Sequence, residues 1–193
     1  MSSPITRARV STRPPRALAA LLPDGLRTRE LAALDDFATS PIVSTHLWFD
    51  RPVLDVPFVG LLGSTTHWLF DRTALTGERG IDGGTCVSAV ISADRAVATW
   101  PRERVVAAVT ADVRAACPAA RAARLVGSVV VKEKDATIAT TPETERRRPP
   151  LTTAIDNLFL AGDWVATGLP PTIESATWSG HRAAAAARAR LAA

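Results

Sequence analysis

Apolar residues change spacing several times along this chain, and each change predicts an element. PRALAALL at 15–22 and RTRELAALDDF at 27–37 have the short helical period of two helices, with Asp24-Gly25 as the turn between them; Pro41 begins the next segment. Ile42 to Phe49 reads as a strand that stops at Asp50-Arg51-Pro52. Thr66 to Phe70 and Thr85 to Ile91 read as further strands separated by a Gly-rich loop, a pattern that suits an antiparallel meander. Pro101 opens a helix in which Val105, Val106, Val109, Val113 and Ala116 recur at helical spacing until Cys117-Pro118 stops it. Leu125 to Val131 is another strand, and Leu158 to Ala161 a short buried one. The chain then runs through a Gly/Pro-rich stretch into a long Ala-rich helix. Interleaved strands and helices predict an α/β (α+β) fold.

The stretch NLFLAGDWVATGLPPTIESATWSGHR at 157–182 concentrates the chemistry. Gly162 lets the chain turn after the strand, and Asp163 then projects a carboxylate from the strand's C-terminal edge, where open α/β sheets bind ligands. The backbone N–H groups near Thr172 and Ile173 open the long helix. A helix start carries roughly half a positive charge and unpaired donors, enough to hold a phosphate or the electron-rich edge of a reduced flavin. Glu174, one turn in, either favours the positive helix end or helps organise such a pocket.

These residues resemble the C-terminal FAD-binding motif of the flavin amine oxidase and phytoene desaturase superfamily, a strand ending in Gly-Asp followed by Gly-x-Pro-x-x-x-Glu-x-Ala. Gly162-Asp163 and the run from Gly168 to Ala176 fill that pattern, with Ser175 where the family carries Gly. The order LAGDW, TGLP, TIE, SG is similar to that of the squalene-associated FAD-dependent desaturases, or hydroxysqualene dehydroxylases. Further likeness lies in HLWFDRPV at 46–53, HWLFDR at 67–72 and VVKEKDATIATTP at 130–142. The resemblance implies FAD as cofactor, held through Gly162, Asp163, Gly168, Leu169, Pro170, Thr172, Ile173 and Glu174. It implies an apolar isoprenoid such as hydroxysqualene as substrate, and peripheral membrane contact, because that substrate dissolves in lipid. It also implies the fold expected here, the C-terminal portion of a two-domain FAD-binding flavoprotein with part of a mixed or antiparallel substrate-domain sheet. Residues 1–40 are then a basic leader and helices with part of the FAD domain or a linker. Residues 41–149 are part of the substrate domain, and 150–193 the returning strand and helix of the FAD domain.

The sequence contains no G-x-G-x-x-G turn of the kind that receives the ADP pyrophosphate. The glycines at 60–63 and 77–84 have the wrong spacing. The expectation is therefore the C-terminal part of a flavoenzyme, with a separately encoded FAD-binding half as partner. A general amine oxidase-like fragment and a remnant without its own cofactor are the alternatives. ITRARVSTR at 5–13 places Arg7, Arg9 and Arg13 where a buried parallel strand would need Val, Ile or Leu, and it reads as a disordered basic leader or as the product of a shifted start.

Composition changes this picture little. The chain has 193 residues, 47% of them hydrophobic, and a formal charge of +4 from 23 Lys+Arg against 19 Asp+Glu. Lys132 and Lys134 are its lysines, and no basic stripe alternates with aromatics, so nucleic acid is not an expected partner. Arg146-Arg147-Arg148 reads as a solvated loop before Pro149-Pro150. Lys132, Glu133 and Lys134 form a charged patch. Cys86 and Cys117 read as buried free thiols of a cytoplasmic protein. His46, His67 and His181 lack metal spacing, with His181 on a helix surface. Trp48, Trp68, Trp164 and Trp178 read as packing residues, some lining an apolar tunnel. No run of about 18 apolar residues is present to span a membrane.

Overall fold

The computed structural model describes residues 7–77 and 83–192. In chain order the elements are β1 (Arg9–Ser11), α1 (Pro15–Leu21), α2 (Arg29–Ala32), β2 (Thr39–Phe49), β3 (Phe58–Gly60), β4 (Trp68–Asp71), α3 (Arg72–Thr76), β5 (Thr85–Ser92), α4 (Arg95–Thr99), α5 (Arg102–Ala116), β6 (Leu125–Ile138), α6 (Pro142–Arg147), β7 (Leu158–Leu160) and α7 (Ile173–Ala192). They form two compact units. One joins residues 1–39 to 137–193, and the other holds 40–136.

The continuous unit is built on a sheet of strand order β3-β4-β5-β2-β6. Strands β4 and β5 pair as the expected meander, β3 adds an unpredicted strand beside β4, and β2 lies between β5 and β6, so the sheet is not a meander throughout. Strand β2 alternates between buried and half-buried positions, so one of its faces is turned to the core, and it is paired on both edges. Its inward residues Val43, Leu47 and Phe49 join Leu69, Val87, Ala89 and Ile91 in one core, against Val105, Val109 and Val113 of α5. Each large side chain buried this way contributes roughly 1.5–3 kcal/mol. Residues 78–82 of the Gly-rich loop lie outside the described residues.

In the discontinuous unit β1 pairs in parallel with β7, Arg9 opposite Leu158 and Ser11 opposite Leu160. This corrects the expectation of a disordered leader. Arg9 and Val10 are exposed, so the strand stands at the surface, where main-chain hydrogen bonds alone set the pairing and arginine side chains remain in water. Its partner β7 is buried on both faces. Leu160 packs with Leu18, Leu31, Leu34, Phe37 and Ile138, while Phe159 and Ala161 pack on Ala183 and Ala187 of α7. The run of alanines in α7 is what lets the helix approach the strand so closely.

Candidate functional site

At the C-terminal end of β7 the chain turns through Gly162, whose φ of 145° lies in a region that side chains rarely adopt. A Cβ at this position would sit 2.5 Å from Nε1 of the buried Trp164 indole, so glycine is required by space as well as by angle. Ser179 of α7 pins the turn: its Oγ accepts from Gly162 N–H at 2.8 Å and lies 3.0 Å from Gly162 O. Asp163 is half-buried, and its Oδ2 accepts from Thr137 Oγ1 at 2.6 Å.

The next turn leads to the helix. Gly168 adopts φ 81°, and Leu169 N–H donates to Thr167 Oγ1 at 3.2 Å. Thr172 precedes α7 as its cap, accepting at Oγ1 from Ser175 N–H at 3.3 Å, with its own hydroxyl 3.3 Å from Pro170 O. Gly168, Pro170, Thr172 and Glu174 are exposed, Leu169 is half-buried, and Ile173 is 87% exposed. The first N–H groups of α7 have no partner within their own helix, and they open on this surface. Ser175 is buried, with its Oγ 2.7 Å from Thr167 Oγ1. The hydroxyl that replaces the family's glycine thus ties the helix to the preceding loop.

The residue that sequence reading missed is Arg148. Far from being solvated, its side chain is fully buried and holds the loop from beneath. Nη1 donates to both Glu145 carboxylate oxygens at 2.9 Å and to Leu169 O at 2.7 Å. Nη2 donates to Asp163 O at 2.8 Å, Val165 O at 2.5 Å and Ser175 Oγ at 3.3 Å. One guanidinium therefore fixes both ends of the 163–169 loop and the first turn of α7, using the planar fork that only arginine supplies.

The remaining candidates divide. Of the tryptophans read as packing or tunnel-lining residues, Trp164 is buried, whereas Trp68 and Trp178 are 45% and 50% exposed and are not packed into the interior. Both stand on outward positions of their elements, opposite to the buried stripe. Cys117 is buried and Cys86 half-buried, both as free thiols, and burial pushes both thiols up from their ordinary pKa. His46 Nδ1 lies 2.7 Å from Ser88 Oγ, His67 Nδ1 accepts from Ser92 N–H, and His181 is exposed. Among the described residues no three His, Cys, Asp or Glu side chains gather as a metal site. Lys132 is engaged with Trp100 O through its Nζ.

A flavin's chemistry can be tested against this donor set. Exposed helix-start N–H groups suit an electron-rich ring edge, and a half-buried carboxylate beside them suits hydroxyl donors. These residues fit the ring and ribityl part of FAD.

Known proteins resemble this chain in sequence and in fold. Hydroxysqualene dehydroxylase of Sinorhizobium fredii is 40% identical over 89% of this chain and 36% of its own length. The 15-cis-phytoene desaturase of Synechococcus elongatus is 28% identical over 95% of this chain and 40% of its own length. The chain thus spans little more than a third of the relatives it matches. Among solved structures, cyclohexylamine oxidase from Brevibacterium oxydans superposes with a TM-score of 0.65 at 17% identity, over 96% of this chain and 43% of its own. The family model of flavin containing amine oxidoreductases matches residues 6–188, and the chain belongs to that family.

Proposed function

We propose that this chain is the C-terminal part of an FAD-dependent oxidoreductase acting on an isoprenoid such as hydroxysqualene, in the formation of squalene. The observation that carries the reading is the corner at Gly162–Glu174, supported by 40% identity to a hydroxysqualene dehydroxylase. When bound and reduced by an external electron donor, FAD would supply hydride to the carbon whose hydroxyl leaves as water. Gly162, Asp163, Gly168, Leu169, Pro170, Thr172, Ile173 and Glu174 hold the flavin, with the α7 start as donors and Asp163 as acceptor. Arg148 orients that loop from below.

The partner in this reading is a separately encoded half that carries the pyrophosphate-binding turn. Because the substrate dissolves in lipid, the reading includes peripheral contact with a membrane surface; no described helix is long and apolar enough to cross one. The test is an absorbance spectrum of the chain, alone and co-expressed with a polypeptide supplying a G-x-G-x-x-G turn. A shifted flavin band near ~450 nm in the co-expressed preparation is the expected result. Flavin in neither preparation overturns it and points to a remnant without a cofactor.

A further inference from the structure

The motif VVKEKDATIATTP at 130–142 supplies a residue to which the flavin reading assigns no task. Thr137 lies near the end of β6, and its neighbour Ile138 is buried among Leu160, Trp164 and Val165. Side chains alternate along a strand, so with Ile138 turned into that core Thr137 turns the other way, and its Oγ1 donates to Asp163 Oδ2 at 2.6 Å. Ala139 N–H donates to Ala38 O at 2.7 Å, which fixes the backbone just past this point. Threonine is also stiff at χ1, because it branches at Cβ. Asp163 is thus held twice: Arg148 Nη2 donates to its carbonyl at 2.8 Å, and Thr137 to its carboxylate. Among the described residues no donor reaches Asp163 Oδ1.

We propose that Thr137 is a positioning residue for the flavin: by occupying Oδ2 it fixes the Asp163 carboxylate and leaves Oδ1 to accept from a hydroxyl of the ribityl chain. The proposal rests on the flavin reading above and adds the side chain through which Asp163 is aimed. A carboxylate only accepts, so each of its oxygens can take a separate donor. The Thr137 bond has the short separation of a hydroxyl on a carboxylate, which is among the stronger hydrogen bonds a side chain makes. An aspartate with neither oxygen held turns about its side-chain bonds and loses that freedom when a ligand arrives. Here the freedom is removed by folding, so it does not weaken ligand binding. A bond that merely fastened the strand to the loop would act on stability and leave flavin affinity alone.

The test measures FAD affinity, by quenching of flavin fluorescence, in the full chain co-expressed with the polypeptide that supplies the G-x-G-x-x-G turn. Thr137→Val keeps the side chain's shape and removes the donor, and FAD is expected to bind about 10-fold more weakly, the value of one hydrogen bond to a charged group. Thr137→Ser keeps the donor and is expected to stay within about twofold of the wild type. In an Asp163→Ala background Thr137→Val is expected to add nothing, since the hydroxyl then has no carboxylate to hold. Wild-type affinity in Thr137→Val, equal losses in the valine and serine variants, or a further loss on top of Asp163→Ala overturns the proposal. If Thr137→Val does not fold, Thr137→Ala removes the same donor and is read in the same way. A wild-type complex that takes up no flavin overturns the flavin reading and this proposal with it, whereas flavin bound equally by wild type and Thr137→Val overturns this proposal alone.

Discussion

Arg148 is buried with one carboxylate beside it, and Glu145 stands half in water, so most of its stabilisation comes from the carbonyls of Asp163, Val165 and Leu169. Removing the guanidinium leaves those oxygens buried and unpaired. Arg148→Met is therefore expected to destabilise the chain by about 3 kcal/mol in urea denaturation, and Arg148→Lys to recover only part of it, since an ammonium cannot reach both ends of the loop. Nothing in RRRPP distinguishes the third arginine from the first two. The distinction arises because α6 ends at Arg147 and the backbone of Arg148 turns extended, with ψ 125°, which sends its side chain inward. Gly162 and Thr172 were legible because a left-handed turn and a helix cap restrict residue type; a buried cation is set by where distant carbonyls gather. A change of loss similar for Met and Lys would show that packing, not the fork, is what matters.

Among the elements, α5, β5, β7 and α7 were readable because each has a run of apolar residues long enough to fix a period. The short helices α3, α4 and α6 were not seen, although their start signals are present: Asp71, Asp94 and Thr141 each accept from the backbone N–H three residues on. Strand β1 was unreadable because its partner lies at the other end of the chain, and main-chain pairing leaves no mark on side-chain pattern. The β2–β5 pairing carries a pH dependence through His46. Burial first, and Arg72 of α3 second, lower its pKa in the folded chain. The unfolded chain then binds the proton more readily, so the contribution is fully present above the ordinary histidine value and is lost as pH falls below it toward the folded pKa. Denaturant midpoints measured from pH 7.5 to 5 are expected to fall, and His46→Gln to flatten that fall; an unchanged slope in the variant would locate the dependence elsewhere.

On the scale of the molecule, one unit is interrupted in sequence by the other. The chain spans little more than a third of the relatives it matches, and the α7 start is a surface for which a ligand is proposed. In pulse-labelled hydrogen exchange during refolding, amides of β2, β4 and β5 are expected to gain protection before those of β1 and β7, because the first set pairs within a short stretch of chain. Simultaneous protection would show that the two units fold as one.

The β1–β7 pairing has a further consequence for synthesis. Asn157 reaches Arg7 O across a separation of 150 residues, so the first strand leaves the ribosome long before its partner exists. During that interval Leu18, Leu31, Leu34 and Phe37 have no Leu160 to close over them, and the nascent chain presents a greasy segment of the sort that chaperones bind. Translation speed over the intervening residues, rather than any property of the finished fold, sets how long that exposure lasts.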